Sequence, residues 1–130
     1  MELAILLVPL MVLAFGTTET GRALYYYNTL LKATRDAARY ASMSAGAAQD
    51  AQAVCHAVYG QSCGSTLVPL VPGLEPANVR ISHRTQSTGS GAVDVVTVTI
   101  QRYAFTPVIG WPVGSLTFGD ISCTMRQAAS

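Results

Sequence analysis

Residues 3–16 read LAILLVPLMVLAFG, and residues 21–46 read GRALYYYNTLLKATRDAARYASMSAG. The first run carries no charge. The second brings charges back on a helical schedule, and Pro9 is the only proline in either. Together they predict one long helix, about residues 1–45, with an apolar first half and an amphipathic second half. The apolar half spans about 14 residues, roughly 21 Å of helix. A bilayer core asks for ~20 residues, so the run is short for a stable anchor. It also lacks the basic n-region and small-residue cleavage site of a secretory signal peptide. A signal or anchor lacking its first residues is the plain alternative.

Two residues in this opening stand out. Glu2 places a carboxylate at the edge of the apolar run, where an unpaired charge in lipid is costly. One reading is a wet helix N-terminal acid favoured by the macrodipole. The other is pairing with a positive group, such as a free α-amine, from another copy of the chain. Pro9 removes a backbone donor and leaves the Ile5 carbonyl without its helical partner. A kink or locally melted turn is expected there.

In the amphipathic half, Arg22, Lys32, Arg35, Asp36 and Arg39 alternate with Leu24, Tyr27, Leu30, Leu31, Thr34, Ala38 and Ala41. Spacings of three and four make this a helix stripe. Ala33, Ala37, Ala38, Ala41 and Ala45 thin one side, which allows close approach to a sheet or another helix. Tyr25, Tyr26 and Tyr27 come just after the apolar run and read either as an interfacial aromatic belt or as packing between subunits. Gly46 is expected to end the helix as a left-handed cap. A second helix is expected over about 47–59 (AAQDAQAVCHAVY), with Ala51, Val54, Cys55 and Val58 on one stripe, and Gly60 stops it.

Residues 61–77, QSCGSTLVPLVPGLEPA, hold three prolines and two glycines among leucines and valines. That composition predicts a packed loop. Strand signals come next. Residues 78–84 alternate Val79, Ile81 and His83 with Arg80, Ser82 and Arg84. Residues 85–91, TQSTGSG, read as a turn. Residues 92–105 read as one long strand whose apolar phase slips at Val95–Val96, suggesting a β-bulge. Residues 107–114 form a loop carrying the only tryptophan, Trp111. The last strand, 115–127, is interrupted near Gly119 and turns Ile121, Cys123 and Met125 to one face. The expected fold is α+β: a long and a short helix packed on a small three-stranded antiparallel sheet. Residues 1–20 form the apolar helix half and 21–130 the globular domain.

Composition narrows the function classes. Half the chain is hydrophobic and 12% is charged, against ~25% in soluble domains. The formal net charge is +1 with no basic run, so there is no electrostatic footprint for nucleic acid. The three cysteines form no CxxC, and only His56 and His83 could assist as nitrogen ligands. No metal site and no cofactor are read from that spacing. Outside the cytoplasm a disulfide is expected, either Cys55–Cys63 or a bond involving Cys123. Neither histidine has a recognisable partner, and no nucleophile elbow, paired-carboxylate signature or phosphate loop in strand–loop–helix context appears. No catalytic residues are assigned, and no enzyme is expected.

The run from Glu2 to Ala41 resembles the N-terminal segment of the TadE-like pilins and pseudopilins of Tad (Flp-type) pili, within the type IV pilus superfamily. The resemblance rests on Glu2, Pro9, Phe15–Gly16, Glu19 before Gly21–Arg22, and Ala37–Ala38–Arg39–Tyr40–Ala41. Similarity continues through LVPLVPGL at 67–74, 79–82, the Val/Thr strand, YAFTP at 103–107 and 124–126. In related pilins the acid is the fifth mature residue, whereas here it is the second. The resemblance implies a prepilin peptidase, an inner-membrane stage, an ATPase-driven assembly machine and other pilins as partners, and a homo-oligomeric helical filament on the cell surface. In such a filament Leu3, Ile5, Leu6, Leu7, Leu10, Val12, Leu13 and Phe15 would pack the core, with Glu2 and Pro9 governing register and assembly. The alternative is a membrane-anchored monomeric periplasmic binding or sensor domain.

Overall fold

The structure, a computed structural model, describes residues 2–43, 46–108 and 114–128. Its first element, α1 (Glu2–Ser42), is an unbroken helix of 41 residues, about 60 Å long. It continues through Pro9 in helical conformation, so the expected melted turn is absent. Proline removes one hydrogen bond, and helix propagation on both sides outweighs that single loss.

Only the second half of α1 is covered. Leu30, Ala33, Thr34, Ala37, Ala38 and Ala41 are buried, a stripe recurring every three or four residues. Thr34 belongs there because its hydroxyl donates to the Leu30 carbonyl at 2.7 Å, leaving no orphan polar group. Leu24 and Tyr27, expected on this stripe, are instead 56% and 40% exposed. The alanines set the contact line, and the larger residues flank it.

The turn after α1 differs from expectation. α1 closes at Ser42, and Gly46 is the N-cap of α2 (Ala47–Tyr59) with φ 155°, so it is no left-handed cap for α1. Gly60 does end α2, at φ 70°. A side chain there would be strained, and its Cβ would sit 3.0 Å from Leu70 Cδ2. Ala53, Ala57 and Val58 form the buried stripe of α2. The expected stripe is rotated: Ala51 is exposed and Val54 half-buried. Small residues again face the contact with α1.

After a 3-10 turn at Pro76–Asn78 come β1 (Val79–Thr88), β2 (Gly91–Ile100), β3 (Ala104–Phe105), β4 (Leu116–Thr117) and β5 (Ile121–Arg126). The main antiparallel sheet runs β1-β2-β5, with β3-β4 a separate two-stranded ribbon. Strands continue into the expected 85–91 turn, which shrinks to Gly89–Ser90. There is no bulge at Val95–Val96. The β1–β2 register is one to one throughout, with Arg84 opposite Val95 and His83 opposite Val96. The phase slip reflects two faces: Val96, Val98 and Ile100 are buried under the helices, while Val93 and Val95 lie half-buried on the other side. Nor is 92–105 one strand. Arg102 takes φ 53°, between the end of β2 at Ile100 and the start of β3, and redirects the chain. Asn78 braces this corner, accepting from the Gln101 amide through its carbonyl at 2.8 Å and donating from Nδ2 to the Gln101 carbonyl at 3.1 Å.

Ile121, Cys123 and Met125 face the helices, and the last strand is interrupted around Gly119. One core region joins Leu30 to Val58, Val71, Leu74, Ile100, Tyr103, Phe105 and Ile121. A second packs the alanines of both helices on Val96 and Val98. Residues 61–75 contribute Val71 and Leu74 and are tied back by the Leu70 amide donating to the Val58 carbonyl at 2.8 Å. Cys55 and Cys63 are disulfide-bonded, and Cys123 is free.

Because Ala38 is fully buried, Ala38→Leu is expected to lower stability by about 1–3 kcal/mol through overpacking. Denaturant unfolding in detergent micelles, followed by circular dichroism, measures this. Leu24→Ala, at an exposed position, is the control and leaves the midpoint nearly unchanged.

Candidate functional site

The first half of α1 is the outstanding surface. Leu3, Ile5, Leu6, Leu10 and Leu13 are each more than 65% exposed, and Leu7, Val8, Met11 and Phe15 more than 40%. Val12 is half-buried along the bare helix. A contiguous apolar surface of this extent marks an interaction site. Residues Ile5–Ser42 include a window long and apolar enough to cross a membrane, and that window is 0% buried within the chain. Pro9 lies in this exposed half, and the Glu2 side chain lies outside the described residues. The assembly residues read from sequence therefore share one element, and the described ones stand clear of the globular part.

At the seam between the two halves stands a polar clamp. Arg22 Nη2 donates to the Thr106 carbonyl at 2.8 Å and lies 3.5 Å from Glu19 Oε2. Glu19 Oε1 accepts from the Val108 amide at 3.3 Å. The guanidinium also sits over Phe105, 5.1 Å from the ring centroid, and over Tyr26 at 5.7 Å, favourable cation–π geometry. Spacing of three places both side chains on one helix face. That face is presented to the segment after β3, so the exposed helix half begins one turn from a fixed anchor. Sequence reasoning misses this clamp. Its signal is an acid–base pair three apart at the end of an uncharged run.

Tyrosines expected to serve a membrane belt or subunit packing are partly used within the chain. Tyr26 meets Phe105 edge-on at 5.7 Å, and Tyr27 meets Phe118 at 5.7 Å. Tyr25 remains 66% exposed. The Tyr103 hydroxyl donates to the Pro72 carbonyl at 2.9 Å. Burial raises the Tyr103 pKa above its ordinary 10.0, the neighbouring Tyr26 adds to the rise, and Arg22 opposes it.

His83 does have a partner: its Nε2 lies 3.0 and 3.1 Å from the two carboxylate oxygens of Asp50. This contact ties β1 to α2. His56 packs against Tyr40 in a tilted arrangement with ring centroids 4.5 Å apart. Trp111 and the centre of the 107–114 loop lie outside the described residues.

Glu19→Gln with Arg22→Ala is expected to free the segment after β3, raising hydrogen exchange at the Val108 amide about tenfold or more, since charge-assisted hydrogen bonds contribute ~1.5–3 kcal/mol. Exchange measured by mass spectrometry reads this. For Tyr103, a raised folded-state pKa means its contribution is complete below the unfolded value. It is lost as pH climbs through the folded value. Stability should therefore fall above pH ~10, and Tyr103→Phe should flatten that alkaline limb in denaturation curves.

Residues 1–39 match the family model described as TadE-like protein. No curated protein and no solved structure gives a significant match to the chain. The N-terminal helix of this chain is thus similar to that of TadE-like proteins.

Proposed function

We propose that the chain is a non-enzymatic structural subunit, a major or minor pilin, of an extracellular Tad-type pilus that serves surface attachment. The observation that carries this reading is the division of α1. Its second half is sealed onto the sheet while Leu3, Ile5, Leu6, Leu10, Leu13 and Phe15 stand exposed. Each fully buried Leu or Ile gains ~2 kcal/mol relative to water, so the bare half demands a non-aqueous surrounding. The inner membrane supplies it before assembly, and the helices of sister copies supply it in the filament. A prepilin peptidase and the pilus assembly machinery act between those stages. The TadE-like match over residues 1–39 covers this same helix, which supports the reading.

Glu2 sets axial register in this proposal. A wrong stagger would strand its charge in an apolar core, at a cost of several kcal/mol. Glu2→Ala is expected to cut the number of sheared surface filaments seen by electron microscopy severalfold while the globular part keeps its fold by circular dichroism. Normal filament counts would remove the register role. The competing reading is a membrane-anchored monomeric sensor or binding domain. It is favoured if the polypeptide stays in the membrane fraction and is missing from purified fibres.

A further inference from the structure

We propose that the outer face of the β1-β2-β5 sheet, the face turned away from both helices, is a docking surface for an acidic polysaccharide. Alternation in β1 sends Val79 and Ile81 toward the core and Arg80 and Arg84 to the opposite side. On β5 the same alternation sends Arg126 outward, opposite Val95. The register sets Arg84, Val95 and Arg126 in one row across the sheet. The two arginine positions are thus two strand spacings apart, about 10 Å. Arg80 stands four residues along β1, about 13 Å away. All three are exposed, and among the described residues none lies within ion-pair distance of a carboxylate.

Val95 lies between Arg84 and Arg126, and from that row toward Arg80 the face is hydroxyl-bearing. Thr97 and Thr124 share a hydrogen bond of 2.8 Å across β2 and β5, which fixes both on this side, and Thr99 shares the phase of Thr97. The acids fall elsewhere. Asp94 is in the inward phase, accepting from Thr85 at 2.6 Å, and Asp50 is held by His83. Asp120, just before β5, stands at the Arg80 end of the sheet, where Gln101 Nε2 donates to it at 3.3 Å. Arg126 also borders an open groove with Arg39 at the end of α1, which carries positive charge around the β5 edge.

This chemistry selects the partner. Guanidinium groups pair bidentately with carboxylates, and threonine hydroxyls both donate and accept with sugar hydroxyls. A nucleic acid would call for denser positive charge to match its phosphates, or for aromatic rings on the sheet to stack bases. This face carries neither. The inference rests on the pilin reading only for where the sheet points, outward from the filament. The binding itself needs no filament.

The test uses the full chain in non-ionic detergent micelles and immobilised polygalacturonate as probe, with dextran as the uncharged counterpart. Expected are retention on polygalacturonate that weakens as salt rises, no retention on dextran, and about tenfold or greater weakening in R80Q/R84Q/R126Q, three exposed ion pairs together amounting to a factor of that order. Each single variant should lose part of the binding, which keeps the proposal testable if the triple variant folds poorly. K32Q/R35Q, removing charge from the helical side, should bind as the parent does. Three results would overturn the proposal: no retention of the parent chain, equal retention by the sheet variants, or a preference for duplex DNA over polygalacturonate. Any of these would leave the filament counts of the Glu2 experiment unaffected.

Discussion

Close approach between α1 and the sheet governs this molecule. Ala37, Ala38 and Ala41 let the helix backbone lie near Val96, Val98 and the inward residues of β5. A thin contact line seals that part of the helix with little side-chain ordering, since alanine has almost no rotamer freedom to lose. The same choice leaves the other half of α1 unprovided for. Among the described residues, no part of the sheet extends beyond the clamp at Glu19 and Arg22 to cover Leu3–Phe15. One helix therefore belongs to two environments, and the seam between them is polar and fixed.

That seam explains how a 41-residue helix can be half bare and still positioned. Arg22 is held by a carbonyl, a carboxylate and two rings, and the ribbon of β3 and β4 is held in turn by Phe105 in the core. Any partner gripping the apolar half pulls on a helix already braced against the globular part. In a filament this arrangement would let load pass from the bundled helices into the surface domain without bending a linker.

Much of this is legible in the residues. The long helix, its division, the short second helix, the packed proline loop and the three-stranded sheet are given by period and composition, and the structure has each of them. The departures share a cause. A strand apolar on both faces imitates a phase slip, so Val95–Val96 reads as a bulge. The 92–105 strand reads as continuous because nothing in Arg102 announces a left-handed backbone. Stripe positions shift because large apolar residues suggest burial, whereas alanine decides the contact here. The clamp and the His83–Asp50 contact stay hidden because their partners are 33 or more residues apart in sequence.

The bridge between Cys55 and Cys63 spans only eight positions, yet it divides the proline-rich loop after it into two parts with different freedom. Val71 and Leu74 are locked in the interior, while Gly64–Thr66 and Val68–Pro69 are exposed. Ring closure on one side and the Leu70–Val58 backbone bond on the other isolate that short arc from the hydrophobic centre. Substitutions or added residues confined to it lengthen a surface loop at slight entropic cost. The molecule thus has a place where its outward appearance can change while its helix–sheet core stays unchanged.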